Sequence, residues 1–408
     1  MPTAELASLH FPSSPRALAT PEKRPASLAT ATSAPEPKKS RVSMCRSPSS
    51  PSSAPPASPT SSSSSAAVVS PSLQTIEPHE LKLLKVIGRG TFAQQVALAQ
   101  HSRSQRMVVV KTLDKRHVIA RKQVAHTLTE KSVLQALSGR HPFIVQLYAA
   151  FQTDRELNFV LEYCQGGELF FHLQQQNQQK FDEAATRFYA AEVLSAIGAL
   201  HAQGIVYRDL KPENVLLDAQ GHVKLADFGF AKENMADGRR TFSFCGSPEY
   251  LSPEMVRKNG HGLETDMWSF GCFVFELLTG SAPFQSSNMR RLFDLIEQGR
   301  VWYPPYLSAD AVSLLQGLLC VNPQARFSAQ DAMKHPFFQS LDWDDVLQRQ
   351  VAPPFVPVCA GRDCTQNFDD GFTNEPVQSI GDWGKRLHSV VASNNTETAH
   401  QDPVFAGF

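Results

Sequence analysis

Several common features are missing from this 408-residue sequence, and each absence narrows the range of functions. The apolar runs fall far short of the roughly 18 residues that a transmembrane helix needs, so no membrane segment is expected. Lys+Arg and Asp+Glu number 39 each, and this balance gives no reason to expect a nucleic-acid partner. Pro2 stands where N-myristoylation needs glycine, and the first residues do not resemble a signal peptide.

The seven cysteines also lack any C-x-x-C pair. The last two, Cys359 and Cys364, are spaced C-x4-C, but no second pair accompanies them. A zinc site is therefore not expected, and the pattern is typical of a reduced, intracellular compartment. We expect a cytoplasmic protein.

The N-terminal segment, residues 1–75, is dominated by Pro, Ser, Ala and Thr. Such a composition buries too little apolar surface to offset the entropy of ordering, so this tail is predicted to be disordered. Small basic clusters lie at residues 22–24 and 38–41. They are interpreted as a solvated patch, with a nuclear signal, and hence a nuclear fraction, as the alternative.

The most informative stretch lies between residues 207 and 229. It reads Tyr-Arg-Asp-Leu-Lys-Pro-Glu-Asn from residue 207 and Asp-Phe-Gly from residue 227. One carboxylate here could orient a hydroxyl and accept its proton. An amide oxygen and a second carboxylate could hold Mg²⁺, which prefers oxygen ligands. The alternative, a chance run of turn residues, is disfavoured by the length of the pattern.

This stretch resembles the catalytic and metal-binding loops of eukaryotic protein kinases, whose pattern is H-R-D-L-K-P-E-N followed by D-F-G. Tyr207 replaces the histidine, a variant frequent in the AGC group of Ser/Thr kinases, which this chain therefore resembles. A glycine-rich turn that resembles G-x-G-x-x-G-x-V begins at Gly88, with Ala93 in place of the third glycine. Val96 arrives one residue late, so this loop carries an extra residue, which puts nucleotide affinity in question.

The resemblance implies an α+β, bilobal protein kinase fold, with a small antiparallel-sheet lobe carrying one key helix and a larger, mainly helical lobe. The implied divisions are a kinase domain at residues 76–338 and an AGC-type tail at residues 339–408. The small lobe would cover residues 76–164 and the large lobe residues 165–338. Helices are predicted at about residues 124–137 and 183–203, the latter from apolar residues at helical spacing.

The same resemblance assigns roles to individual residues. Asp209 and Lys211 would be catalytic, and Asn214 and Asp227 would bind Mg²⁺. ATP would be bound by Gly88, Arg89, Gly90, Val96, Lys111, Glu130, Glu162, Cys164, Glu168 and Phe368. The protein substrate would be bound by Glu168, Glu213, Glu276 and Ser247.

Three regulatory elements are implied in the same way. Ser243 would be the phosphorylation site of the activation loop and Ser379 that of a turn motif. Phe405 and Phe408 match an F-x-x-F hydrophobic motif, which would insert its rings into a groove on the small lobe. Arg326 is expected to pair with Glu254.

The function implied is a Ser/Thr protein kinase that uses ATP and Mg²⁺. The three substrate-binding glutamates predict substrates with basic residues before the acceptor. An upstream activating kinase is expected as a partner, and the chain is expected to be a monomer. The alternatives are a pseudokinase scaffold, which the altered glycine-rich loop would favour, and a lipid or metabolite kinase, which the Ser-Pro-Glu segment at residues 252–254 disfavours.

Overall fold

The computed structural model describes residues 76–89, 93–236, 238–377 and 403–408. The tail at residues 1–75 and two of the predicted site residues, Gly90 and Ser379, therefore lie outside the described part of the chain. The described residues form a small lobe built on a sheet and a larger, mostly helical lobe, which is the predicted fold class.

The small lobe is built on an antiparallel five-stranded sheet with strand order β1-β2-β3-β5-β4. Its strands are β1 (Leu81–Gly88), β2 (Ala93–His101), β3 (Met107–Asp114), β4 (Leu147–Gln152) and β5 (Glu156–Glu162). Strand β3 is rich in β-branched residues, and β5 contributes the buried Phe159 and Val160, residue types that suit the interior of a sheet. Lys111 lies on β3, which is flanked on both sides by other strands.

The extra residue of the glycine-rich loop is absorbed by a β-bulge in β2. Ala93 pairs with Leu113 of β3. Gln95, two residues further along β2, pairs with Thr112, which is only one residue further along β3. A bulge of this kind adds one residue to one strand and leaves the pairing on either side intact. Val96 therefore returns to regular register.

Two helices follow β3 in the small lobe, α1 (Lys115–Ala120) and α2 (Val124–Leu137). The bounds of α2 are those predicted from the sequence. Its stretch has no glycine or proline, and its buried residues recur at helical spacing. These buried residues are Thr127, Glu130, Val133, Leu134 and Leu137.

The large lobe is mainly helical. Its helices are α3 (Leu169–Gln175), α4 (Glu183–Ala202), α5 (Pro253–Val256), α6 (Glu264–Thr279), α7 (Met289–Gln298), α8 (Ala309–Leu318) and α9 (Ala329–Met333). A small antiparallel sheet consists of β6 (Gly167–Glu168), β7 (Val215–Leu217) and β8 (Val223–Leu225). The active-site loops follow directly from these short strands or precede them.

The core of the large lobe forms around α4 and α6, which contact each other. Every residue of α6 from Thr265 to Leu278 is buried, so this helix is central to the lobe. None of the helices in the described residues has both the length and the apolarity to cross a membrane.

The C-terminal tail adds α10 (Trp343–Leu347) and α11 (Asp370–Thr373) and contacts both lobes. It passes Gly221, where φ is +95° and the Phe355 carbonyl oxygen would lie 2.3 Å from any added Cβ. Only glycine fits so close an approach. In the small lobe, Lys85 Nζ donates to Thr365 Oγ1 at 3.1 Å.

The last residues, 403–408, dock on the small lobe. Phe405 is fully buried, and the Phe408 ring meets Phe159 edge to face at 5.0 Å. Lys131 Nζ of α2 donates to the Gly407 carbonyl at 2.6 Å and lies over the Phe408 ring. The docking of both rings is therefore as predicted, and it fastens the tail to the helix that carries Glu130.

Phe405→Ala should lower the stability of the small lobe. Truncation of a fully buried phenylalanine typically costs about 3–5 kcal/mol, although undocking of residues 403–408 would cap the loss. A lower melting temperature by calorimetry is expected. Val404→Ala is the matched control, because Val404 is 49% exposed and should change little. Equal melting temperatures for the Phe405 variant and wild type would contradict the docking.

Candidate active site

The cleft between the lobes contains a half-buried lysine held by two carboxylates. Lys111 Nζ of β3 donates to Glu130 Oε1 of α2 at 2.7 Å and to Asp227 Oδ1 at 3.1 Å. Burial alone would lower the pKa of Lys111, but the charges of Asp227 and Glu130 raise it well above its usual value. Burial raises the pKa of Glu130, and Lys111 partly offsets this. The ammonium is therefore permanently charged and fixed in position.

The catalytic loop is held in a strained conformation by a buried aspartate. Arg208 has φ = 70°, which is unusual for a residue with a side chain. Asp266, fully buried on α6, accepts hydrogen bonds from the backbone N–H groups of Tyr207 (2.8 Å) and Arg208 (2.7 Å). These two bonds compensate for the strain and fix the position of the next residue, Asp209.

Asp209 is the centre of a small polar network. Its Oδ2 accepts from Asn214 Nδ2 at 2.8 Å, and its Oδ1 accepts from the backbone N–H of Ser247 at 3.1 Å and from Ser247 Oγ at 3.0 Å. Lys211 Nζ lies 3.4 Å from Asp209 Oδ2 and donates to Ser247 Oγ at 2.8 Å. The network places a carboxylate, an ammonium and a hydroxyl at one point of the cleft.

The charges in this network shift one another's pKa values. Burial raises the pKa of Asp209, Lys211 counteracts this, and the charge of Asp227 raises it further. Burial opposes ionisation of Asp227 too, but Lys111 prevails and lowers its pKa. The pKa values of the two aspartates are thus shifted in opposite directions. Asp227 stays ionised, as a cation ligand must, and Asp209 becomes more basic, as a proton acceptor should be.

A cation at this site would be held by Asn214 and Asp227. The Asn214 amide nitrogen donates to the backbone carbonyl and to Oδ2 of Asp209. Its amide oxygen is therefore the atom that could bind a metal ion. The Asp227 side chain is 43% exposed. No group of three or more His, Cys, Asp or Glu side chains suited to a metal occurs among the described residues. Mg²⁺ needs no such cage when substrate phosphates supply further oxygens, so the two residues fit this ion.

An apolar cluster lies beside the lysine and would line the predicted nucleotide pocket. Ile87, Leu98 and Val109 are buried in it, and Val96 packs against them, so the bulge keeps Val96 in this cluster. Phe368 of the tail joins this cluster and stacks on Tyr163, with ring centroids 6.0 Å apart at 19°. Flat apolar walls of this kind suit a purine base.

The segment from β5 to β6, which joins the lobes, offers two backbone groups to such a base. The Glu162 N–H donates to the Gln146 carbonyl at 2.9 Å, so only its carbonyl remains for a base. The Cys164 carbonyl accepts from Gly167, which leaves the Cys164 N–H. The Glu162 side chain pairs with Lys224 of β8 at 2.9 Å, so it fixes the segment rather than facing the pocket.

The acidic residues predicted to bind substrate have different surroundings. Glu168 is exposed in the cleft, yet loss of bulk water and the charges of Glu213 and Asp369 raise its pKa to about 7. Glu276 is only 1% exposed and accepts a hydrogen bond from the Tyr250 hydroxyl. Burial is the main cause of the raised pKa of Tyr250, and the negative charges of Glu276 and Glu213 raise it further. Glu168 and Glu213 thus lie close together, and Glu213 and Glu276 both lie near Tyr250.

A basic site surrounds Ser243 in the activation segment. Arg208 Nη1 donates to Ser243 Oγ at 2.5 Å, and Lys232 Nζ donates to Thr241 Oγ1, which lies 3.2 Å from Ser243 Oγ. Burial lowers the pKa of His126, and the charges of Arg208 and Lys232 lower it further. The positive charges therefore meet beside a serine hydroxyl.

Several supporting residues could not be identified from the sequence. Asp266 fixes the catalytic loop, but no motif considered in the sequence analysis includes it. Arg89, predicted to bind ATP, pairs through Nη2 with Glu375 of the tail at 2.6 Å. These partners are separated by 286 positions, and no local pattern signals such contacts.

Comparisons with known proteins agree with this geometry. Residues 81–338 match the family model of the protein kinase domain. The chain is 42% identical over 314 residues to human RAC-beta serine/threonine-protein kinase, covering 76% of this chain and 64% of that protein. It is 42% identical over 310 residues to serine/threonine-protein kinase Sgk1 of Xenopus tropicalis, covering 75% of this chain and 73% of that protein.

The chain belongs to the protein kinase family. Within that family, its likeness to the RAC and Sgk kinases places it in the AGC group. The resemblance stated from the sequence is thereby confirmed. The chain spans just under two thirds of the length of the human RAC-beta kinase.

Proposed function

We propose that this protein is an active Ser/Thr protein kinase that transfers the γ-phosphate of ATP to protein hydroxyls. The observation that carries the proposal is the convergence of Lys111, Glu130 and Asp227 with the Asp209 network in one cleft. Phosphoryl transfer requires positioning and charge neutralisation more than covalent chemistry, and this cleft supplies both.

The chain's own residues divide the work as follows. Lys111, fixed by Glu130, binds the α- and β-phosphates. Asp209 orients the acceptor hydroxyl and takes its proton, while Lys211 neutralises charge on the transferring group. Asn214 and Asp227 would hold Mg²⁺, which would supply positive charge to neutralise the phosphates. Ser247, bonded to both Asp209 and Lys211, positions these two side chains at the acceptor.

The substrates proposed carry basic residues, chiefly arginine, before the acceptor. The support is the pair of carboxylates Glu168 and Glu213, which lie near enough for the charge of Glu213 to help raise the pKa of Glu168. An arginine placed between them would relieve this repulsion. Glu276 acts from within the lobe through Tyr250, because it is buried.

The experiment is phosphate transfer from labelled ATP with Mg²⁺ to two peptide series, using the full chain phosphorylated at Ser243. One series has the form Arg-x-x-Ser, and the other has glutamate in place of arginine. Faster transfer to the arginine peptides is expected. Preference for the acidic series would overturn the substrate assignment, and absence of any transfer would favour the pseudokinase scaffold. Transfer to lipid but not to peptide would revive the third alternative.

Activation by phosphorylation of Ser243 is the proposed regulation. A phosphate adds about −1.5 to −2 charges and three acceptor oxygens, which match the basic site of Arg208, Lys232 and His126. Because Arg208 precedes Asp209, such bonds would order the activation segment and the catalytic loop together. The kinase that adds this phosphate is the partner we propose.

Ser243→Ala should lower kcat about tenfold to a hundredfold. This range corresponds to the loss of one charge-assisted hydrogen bond, about 1.5–3 kcal/mol. ATP affinity should stay nearly unchanged, since Ser243 does not contact the Lys111 pair. Steady-state kinetics with the phosphorylated wild type is the measurement. Phosphatase treatment should bring the wild type to the level of the variant, and equal activity of all three would show that no phosphate is needed.

A further inference from the structure

A threonine of the C-terminal tail, Thr365, has the sequence context that the proposed substrate preference requires. Among the described serines and threonines, only Ser243 and Thr365 have an arginine three positions earlier. Ser243 lies in the activation segment, whereas Thr365 lies in the tail. The arginine before Thr365 is Arg362, which is exposed. The tail therefore contains an Arg-x-x-Thr site of the kind proposed for protein substrates.

The chain around Thr365 is irregular and largely exposed. Residues 348–369 belong to neither a helix nor a strand, and residues 360–363 and 366 are exposed. Side-chain bonds hold this part of the tail. Gln165 Nε2 donates to the Gly361 carbonyl at 2.5 Å, and the Tyr163 hydroxyl donates to the Cys364 carbonyl. A segment held mainly by such bonds opens locally at low cost, so it can enter the cleft of another kinase molecule.

The Thr365 hydroxyl faces a lysine of the small lobe. Lys85 Nζ of β1 donates to Thr365 Oγ1 at 3.1 Å, and both residues are half-buried. A phosphate on that oxygen would bring about −1.5 to −2 charges and three acceptor oxygens beside the ammonium. A pair in which both groups are charged holds more tightly than the present bond, in which only the lysine is charged. Phosphorylation would thus strengthen an existing contact between the tail and β1.

The same turn of the tail carries Phe368. The Phe368 N–H donates to the Thr365 carbonyl at 3.2 Å, so these two residues form the ends of one turn. The Phe368 ring stacks on Tyr163 and packs in the apolar cluster with Ile87 and Val109. Fixing Thr365 against β1 would therefore stabilise the turn that places the Phe368 ring.

We propose that Thr365 is a phosphorylation site that this kinase modifies on a second copy of its own chain, and that Lys85 then binds the phosphate. The inference rests on the proposed function. Thr365 Oγ1 attacks the γ-phosphorus of ATP, the bond from that phosphorus to the β–γ bridging oxygen breaks, and ADP leaves with the electron pair. The hydroxyl proton passes to Asp209 of the copy that acts as the enzyme.

The test mixes wild type phosphorylated at Ser243 with Mg²⁺, ATP and an isotopically heavy full chain that carries Asp209→Asn. The heavy copy transfers phosphate about a hundredfold or more slowly, so phosphate on its Thr365 comes from the wild type. Mass spectrometry with peptide fragmentation locates the phosphate. We expect Thr365 of the heavy copy to be phosphorylated in the mixture but not when that copy is incubated alone.

The same mixture contains an Arg-x-x-Ser peptide as a second acceptor, which separates the inference from the function on which it rests. Transfer to the peptide without phosphate on Thr365 of the heavy copy would overturn the inference and leave the proposed function intact. Absence of transfer to either acceptor would refute the proposed function and the inference with it.

Arg362→Gln in the heavy copy should lower the initial rate at Thr365 by about tenfold or more, the effect of one lost charge-assisted hydrogen bond. The contact between Thr365 and Lys85 is kept in this variant. Arg300→Gln is the matched control, because Arg300 is also exposed but has no serine or threonine three positions later. It should leave the rate unchanged. Equal rates for the Arg362 variant and the unaltered heavy copy would overturn recognition through Arg362.

Hydrogen exchange tests the binding of the phosphate by Lys85. Amide exchange at residues 365–368 should be about threefold to tenfold slower in the phosphorylated heavy copy than in the unmodified one, the scale of one strengthened hydrogen bond. Lys85→Met should abolish this difference while Thr365 is still phosphorylated. Equal exchange in the two forms, or the same slowing in the Lys85 variant, would show that Lys85 does not bind the phosphate.

Discussion

Asp209→Asn should reduce kcat for phosphate transfer by about 10²–10⁴, the usual contribution of a positioned proton acceptor. The substitution keeps the shape of the side chain and its hydrogen bond from Ser247, but an amide cannot accept the acceptor's proton. Burial and the charge of Asp227 raise the pKa of Asp209, so neutralising this group relieves part of the cost of burying it. The new amide nitrogen loses the bond that Oδ2 accepts from Asn214, so the melting temperature should change little. Kinetics and melting temperature are measured on the same preparations.

The substitution should lower kcat without weakening ATP binding. The ATP dissociation constant should stay close to that of the wild type, because Lys111 and Glu130 are untouched. Asp331→Asn is the matched control, since Asp331 caps α9 and is exposed. It should leave kcat unchanged. Retention of more than about a tenth of the activity by the Asp209 variant would remove Asp209 from the proposed role.

Arg326→Met should lower the free energy of unfolding by about 3–5 kcal/mol, because it leaves a buried carboxylate without its partner. Arg326 donates to Glu254 through Nη1 at 2.7 Å and through Nη2 at 2.9 Å, and its side chain has no exposed surface. Burial opposes ionisation of Glu254, but these bonds prevail and lower its pKa. Urea denaturation followed by fluorescence gives the measurement.

The loss in the free energy of unfolding should result from the unpaired charge of Glu254 rather than from lost side-chain volume. The double variant with Glu254→Leu should therefore recover part of the stability, since apolar replacement of a whole buried pair is often tolerated. Glu375→Gln, which removes the partly exposed pair with Arg89, should cost no more than about 1 kcal/mol. A similar loss in all three variants would show that the buried pair has no special weight.

The sequence was sufficient to predict the fold class and the helix at residues 124–137, and it assigned Lys111 and Glu130 to one site. These features follow from local spacing, or from motifs whose order along the chain is that of a known family. The pairing of Arg326 with Glu254 and the docking of Phe405 and Phe408 were also predicted and are present.

Features that depend on distant partners were not predictable in the same way. Asp266 binds the backbone of residues 207 and 208, and Glu375 binds Arg89, but neither pair has a signal in sequence spacing. Glu276 was predicted to bind substrate, and its burial against Tyr250 depends on tertiary packing. The roles assigned to the individual site residues, together with the phosphorylation of Ser379, stay predictions.

The bulge in β2 has a consequence for how this chain can vary over evolution. Side chains alternate along a strand, so one inserted residue would normally turn every later side chain to the opposite face. Here the parity is restored before Val96, and the insertion is confined to a single irregular step. The length of this loop is thereby uncoupled from the shape of the pocket, and it can drift by a residue without compensating substitutions elsewhere. The extra residue between Gly88 and Val96 is consequently not evidence that the chain has lost catalytic activity.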